Sequence, residues 1–196
     1  MDDIVKQAMA KWPNVPDCYG WLALDARGVW RMRDERAQQL NLPGDKVQQA
    51  ALLNFINRNY EADARGCWYF QNGPQRVFVD LEATPYIART DPAQGLTVQT
   101  GQAITPEAAF MTAAGALIVT GGAMTAQVDD RDVVQLLSQM SLGDDALMAW
   151  LAGGPGEVTM RLGGADVAVE RIDGDSVPAR FGFQRLPRAA PSGSTP

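Results

Sequence analysis

Gly20–Glu35 reads GWLALDARGVWRMRDE and aligns without a gap on Gly115–Asp130, GALIVTGGAMTAQVDD; Cys67–Glu82, CWYFQNGPQRVFVDLE, aligns in the same way on Glu157–Ile172, EVTMRLGGADVAVERI. Each segment has an alternating run, a glycine-bearing turn and a second alternating run, which is the pattern of a β-hairpin. A helical stretch separates the two hairpins of each copy. Identities are few: Gly20/Gly115, Leu22/Leu117 and Asp34/Asp129 in the first pair, Gly73/Gly163, Val77/Val167 and Val79/Val169 in the second. What repeats is a pattern, so the expectation is an α+β protein of two similar lobes, each an antiparallel sheet (hairpin, helix, hairpin) with helix packed on one face. The lobes are expected over residues 1–90 and 91–186. A disordered tail over 187–196 follows, because PRAAPSGSTP cannot offset the entropy of ordering.

The bulk properties narrow the function more by exclusion than by pointing. A chain of 196 residues that is 46% hydrophobic and 20% charged is globular in composition. A net charge of −6 and a pI near 4.6 argue against binding nucleic acid, where cations neutralising phosphates carry the affinity. Acids in MDDIVKQAMAKW, and no apolar run of spanning length, argue against a secretory signal and against a membrane partner, leaving the cytoplasm as the expected location. Cys18 and Cys67 are too few for a disulfide framework and lack metal-site spacing, so neither metal nor other cofactor is expected.

Along the chain, Val5, Ala8, Met9 and Trp12 recur at helical spacing before Pro13, which makes Trp12 an expected anchor of an opening helix. Asp45 reads as the N-cap of a helix reaching about Asn59, with Val47, Ala51, Leu52, Phe55 and Ile56 on its apolar face. Asn72-Gly73 reads as a hairpin turn that Pro74 lengthens beyond two residues. Between Ala83 and Ala114 the pattern weakens to one strand, Leu96–Thr100. Two helices follow, one carrying Val133, Leu136 and Met140, the other running from Asp144 or Asp145 to the Gly153–Gly156 break. A hairpin turning at Gly163-Gly164 and a last strand over Arg180–Leu186 close the second lobe.

Trp12-Pro13, Cys18, Gly20, Asp25, Gly28 and Trp30, then a helix, a hairpin and Ala83-Thr84-Pro85-Tyr86, carry a family likeness. Over roughly its first 90 residues the chain resembles an uncharacterised bacterial family of small cytoplasmic proteins, a domain of unknown function. The resemblance implies two repeated α+β motifs and a part in signal transduction. It implies no catalytic or ligand residues.

The chemistry that the residues themselves allow is limited by the absence of histidine, which removes the commonest general base and every Ser/His/Asp or Cys/His centre. Cys67 follows Arg65, whose cation is placed to lower the thiol pKa, although a cysteine beside Trp68 and Tyr69 more often serves packing. The glycine runs lack a following Lys-Ser/Thr and read as turns. Asp129-Asp130 and Asp144-Asp145 precede helical patterns and read as caps. Alternation sends Trp21, Arg31, Arg33, Tyr69, Arg76 and Phe78 to the first lobe's outer sheet face, where Asp25 also falls, with Tyr86 and Arg89 at one end. Aromatics interleaved with arginines are the composition of interface hot spots, which makes these eight the candidate binding residues. Cover by the second lobe or a twin subunit is the competing reading of that face. The function expected is therefore a non-enzymatic cytoplasmic binding or adaptor protein holding a protein or small-molecule ligand. Two alternatives remain: a histidine-free enzyme using Cys67 or a carboxylate cluster, and a homodimerising structural module.

Overall fold

The computed structural model describes residues 2–189, which divide into two compact units. The first takes the chain to Asp25, then Val29–Glu82, and the described residues from Gly182 on; the second takes Ala26–Gly28 and Ala83–Phe181. The division thus falls after Glu82, not near Asp91, and the last described stretch returns to the first unit.

The first unit runs α1 (Asp3–Lys11), β1 (Cys18–Leu24), β2 (Trp30–Met32), α2 (Glu35–Gln39), β3 (Asp45–Lys46), α3 (Ala50–Arg58), β4 (Tyr60–Ala62), β5 (Trp68–Asn72) and β6 (Gln75–Leu81). Its six strands lie in the order β3-β2-β1-β6-β5-β4. The second runs β7 (Tyr86–Asp91), β8 (Gly95–Val98), β9 (Ala108–Thr112), β10 (Leu117–Gly121), β11 (Met124–Val128), α4 (Asp130–Leu137), α5 (Asp144–Leu151), β12 (Val158–Leu162), β13 (Ala165–Ile172) and α6 (Val177–Phe181). Its seven strands lie in the order β12-β13-β9-β10-β11-β7-β8. The class is α+β as expected, but the sheets are mixed and larger than a pair of hairpins. β1 pairs parallel to β6, β9 to β13 and β7 to β11. A hairpin pattern dictates only its own local ladder; pairing between hairpins is long-range, and a crossover delivers the closing strand parallel, through helices from β1 to β6 and from β9 to β13 and through strands alone from β7 to β11.

The duplication is present, displaced by one strand from the gapless alignment. The run β3-β2-β1-β6-β5 recurs as β11-β10-β9-β13-β12, with the same pairing sense at every step. Leu24, facing Trp30 and Leu81, corresponds to Met111, facing Leu117 and Arg171. Gly20–Glu35 therefore matches β9 and β10, not β10 and β11; the pairing of the second hairpins stands. A shared turn fixes this register. Val29 N–H donates to Asp25 Oδ1 at 2.9 Å, Cys67 N–H to Asp63 Oδ1 at 2.9 Å and Ala116 N–H to Thr112 Oγ1 at 3.0 Å. In each case the residue before the donor is a left-handed glycine, Gly28, Gly66 or Gly115. Asp25-Ala-Arg-Gly28 and Asp63-Ala-Arg-Gly66 are the same tetrapeptide, so a second signal for hairpins stood in the sequence and marks β4, which periodicity does not reveal.

In the first unit Leu22, Leu24, Trp30, Phe70 and Val79 form one buried sheet face. Against that face, α3 places Phe55 edge-on to Phe70 at 5.4 Å, and Asn57 accepts from Trp30 Nε1 at 2.8 Å. The opening helix is anchored by buried Val5, while Trp12 is half-exposed beneath the Lys11 ammonium. Asp45 caps nothing: Asp45–Lys46 is an edge strand on Arg31 and Met32, and α3 begins at Ala50 after Gln49. Asn72 faces Gln75, so Gly73-Pro74 is a two-residue turn despite the proline. In the second unit Val133, Leu136, Leu147 and Trp150 close on Leu117, Val119, Ala126 and Met160. Asp129 does cap α4, accepting from Arg131 N–H. Residues 83–114 hold β7 and β9 as well as β8, and Arg180–Leu186 is no strand but the end of α6 and an irregular return. On that return Phe183 and Pro187 are buried, Gln184 N–H donates to Gly66 O at 2.9 Å, and Arg185 O accepts from Leu81 N–H at 2.7 Å. The expected tail thus begins inside the first unit's packing; its residues 190–196 lie outside the described chain.

Gly66 has φ +75°, and a Cβ there would stand 2.1 Å from Gly182 O. Gly115 has φ +83° and open space around it. Gly115→Ala is expected to cost about 1 kcal/mol of backbone strain, and Gly66→Ala at least about 2 because the returning chain must also move. Urea unfolding of the two variants checks this; equal losses would contradict the close approach.

Candidate functional site

The outer face of the first sheet is set by register. Arg31 faces Ala23, Ala23 faces Asp80, Tyr69 faces Phe78 and Gln71 faces Arg76, all opposite the Leu22–Trp30–Val79 face. Its aromatic half is packed shut. The Tyr19 ring stacks on Phe78 at 4.6 Å, Tyr69 lies 5.6 Å from Phe78, and the Arg76 and Arg65 guanidinium groups cover Tyr69 and Phe78 at 4.8 and 5.7 Å. Phe78 is 1% exposed. Tyr69 donates its hydroxyl to Glu61 Oε1 at 2.6 Å, and burial together with that bond pushes its pKa up. Neither aromatic is an available anchor. The reason is local: β1 carries Tyr19 onto this face ahead of the register break at Gly20.

The other half is an open, charged groove. Arg31 donates to Asp25 Oδ2 at 2.8 Å and to Gly44 O at 3.2 Å. Arg33 donates from Nε to Leu42 O at 3.1 Å, from Nη1 to Asp80 Oδ2 at 2.7 Å and from Nη2 to Asn41 Oδ1 at 3.3 Å. The two guanidinium groups therefore hold the loop 41–44 over the sheet, using the planar fork for geometry. Under this loop lies a cavity of about 350 Å³ lined by Asp25, Arg31, Arg33, Leu42, Pro43, Asp80 and Leu186. A second of about 340 Å³, lined also by Tyr19, Gln38 and Arg188, shares Asp80 and Arg33 with it.

Asp80 is the common floor. Its side chain is 9% exposed, and among the described residues its Oδ1 accepts no hydrogen bond; the Arg188 guanidinium is 3.5 Å away, an ion-pair distance. Burial raises the Asp80 pKa, outweighing the lowering by Arg188 and Arg33. A buried acceptor left open in this way costs about 1–3 kcal/mol.

Of the eight residues read from sequence, Arg31 and Arg33 line the groove, Arg76, Tyr69 and Phe78 form the closed half, and Trp21 is 40% exposed. Tyr86 and Arg89 lie on β7 in the second unit. There Arg89 donates to Asp129 Oδ2 at 3.0 Å and to Arg27 O at 2.7 Å. Arg131 also bonds Asp129 and holds its carboxyl below the usual carboxylate range. Sequence reasoning missed Asp80, Asn41, Leu186 and Arg188. Asp80 was within reach, because it follows Arg76 and Phe78 on the same alternation. Cys67 is buried, and its pKa is raised by burial and by Asp63; Arg65, whose guanidinium is spent on Asp63 at 2.8 Å, lowers it less. The cationic activation expected of Arg65 is thus outweighed.

Two outcomes follow from these pKa directions. Burial raises the pKa of both thiols, so both are expected to label slowly near neutrality, and exposure decides between them. Iodoacetamide at about pH 8 is expected to label the Cys67→Ser variant, which keeps half-buried Cys18, faster than the Cys18→Ser variant, and rapid labelling of Cys67 near neutrality would contradict this. A carboxyl with a raised folded pKa binds more protons folded than unfolded, so its contribution to stability falls as pH rises from its unfolded value through its folded one. Across mildly acidic pH the unfolding free energy of Asp80→Asn is therefore expected to gain on that of the native chain as pH rises; a constant difference would contradict it.

The family described as "Protein of unknown function (DUF2946)", under the name DUF2944, matches residues 1–188. The chain is also similar to a solved DUF1285 family protein from Silicibacter pomeroyi DSS-3, at 13% identity over 86% of this chain and 94% of that one, with a TM-score of 0.50. At that identity the likeness concerns the fold alone. A search of curated proteins finds no match. With almost every described residue inside the family match, the chain belongs to the DUF2944 family of proteins of unknown function.

Proposed function

We propose that this protein is a non-enzymatic cytoplasmic binding or adaptor protein whose ligand seat is the groove over Asp80, with a part in bacterial signal transduction. The signalling element rests on the family resemblance alone. The observation that carries the reading is the open Oδ1 of Asp80, a buried carboxylate oxygen at the floor of two adjoining cavities. Native proteins pair most buried acceptors, and departures from that rule gather where something else binds. The lining suits recognition: Leu42, Pro43 and Leu186 offer apolar surface around a few fixed polar groups. The absence of histidine and the raised pKa of Cys67 favour holding over bond chemistry.

Thermal unfolding against a panel of amines, guanidines, carboxylates, nucleotides and short peptides tests this. A compound bound in the groove raises the melting temperature of the native chain with concentration and loses that effect in Asp80→Asn. Stabilisation of both proteins alike by every active compound, or consumption of a bound compound, would contradict it.

A further inference from the structure

Resting on the groove as the ligand seat, we propose that it takes an arginine side chain of a partner peptide, and that Arg188 is the chain's own weak stand-in for that side chain. Asp80 Oδ2 is fixed by Arg33 at 2.7 Å, while Oδ1 remains open, so the missing partner is a hydrogen-bond donor. A carboxylate is best met by a cation. Each carboxylate oxygen also has two acceptor sites, so a second guanidinium can bridge Oδ1 and Oδ2 beside Arg33. An anion is the poorer occupant: Arg31 and Arg33 are already paired with Asp25 and Asp80 and bonded to the 41–44 loop, and the cavity is lined by the carboxylates of Asp25, Asp80 and Glu82 against those two guanidinium groups.

Arg188 shows what such an occupant looks like. It reaches Asp80 at 3.5 Å from the tail with its side chain 64% exposed, and the same Nη1 donates at 2.7 Å to Pro187 O, its own neighbour. The internal guanidinium is thus held at Asp80 as a long ion pair, while its hydrogen bond goes to Pro187 O. Leu186 beside it, with Leu42 and Pro43 across the groove, gives an apolar flank for the aliphatic stem of an incoming arginine and for the residue before it. An internal competitor of this kind lowers the apparent affinity for an external one by the fraction of time that it occupies the seat.

The test is calorimetric titration of acetyl-Leu-Pro-Arg-amide, and of its lysine counterpart, into the full native chain, Asp80→Asn and Arg188→Ala. The arginine peptide is expected to bind the native chain, to lose about tenfold or more on Asp80→Asn, and to gain about threefold or more on Arg188→Ala. The lysine peptide is expected to bind weaker, since an ammonium cannot bridge both oxygens. No binding to any protein, equal binding to native and Asp80→Asn, or a lysine preference would overturn the assignment. An unchanged affinity on Arg188→Ala would overturn the stand-in. Should Asp80→Asn not fold, Arg188→Ala decides, because its side chain is exposed. Light scattering adds one arm: a dimer that Arg188→Ala dissolves would give the seat to a second copy's tail and overturn the partner peptide. An Asp80-dependent ligand without a guanidinium would overturn this inference while leaving the groove as a seat. Absence of any Asp80-dependent ligand would remove both.

Discussion

The parallel pairing of β1 with β6 is the constraint on which the first unit depends. It joins a hairpin near the start of the chain to one completed only at Leu81, and it sets Ala23 beside Asp80 and Leu22 beside Val79. One face of that seam becomes the core against α3. The other carries Arg31, Arg33 and Asp80, three charged groups that local sequence keeps apart and the register brings together. The second unit makes the same junction between β9 and β13, but there Phe110 faces Glu170 where Ala23 faces Asp80, and Glu170 is exposed, so the corresponding carboxylate is not buried at the seam's centre. Duplication supplied the frame twice; the groove belongs to one copy.

What was legible in the sequence was whatever is encoded locally. The hairpins of β1 with β2, β5 with β6, β10 with β11 and β12 with β13 follow from alternation and left-handed glycines. The Asp129 cap follows from a carboxylate placed before a helical pattern. The parallel pairings were not legible, because nothing in a strand's own residues states its distant neighbour. β7 was hidden by Pro85 and Pro92 at its borders, and the two residues of β3 are too few for periodicity. Asp45 looked like a cap because it follows Pro43-Gly44, yet Gly44, with φ +81° and Met32 O 2.3 Å from where a Cβ would stand, bends the chain into an edge strand first.

The candidate site was half legible for the same reason. Alternation placed Arg31, Arg33, Tyr69, Arg76 and Phe78 on one face, and register agrees with that grouping. It could not show that Tyr19 and Arg65 roof the aromatics, nor that the arginines are occupied in tethering the 41–44 loop. Two aromatic anchors thereby became core, and two arginine anchors became walls. The tail composition likewise suggested disorder from Pro187, whereas Phe183 and Pro187 are buried and Arg188 is drawn to Asp80, the one buried carboxylate among the described residues with an oxygen that accepts no hydrogen bond.

A buried ion pair with a spare acceptor is a poor device for stability, since desolvation consumes most of the attraction and the unused oxygen adds its own penalty. It is a good device for recognition, because a correct partner recovers that penalty on arrival. The titration of the Asp80 carboxyl, followed by carbon-13 NMR with and without acetyl-Leu-Pro-Arg-amide, tests this most directly. The apo pKa is expected above that of an ordinary aspartate, falling when the cationic peptide is added because the charged form gains a partner. An ordinary pKa that the peptide leaves unmoved would contradict it.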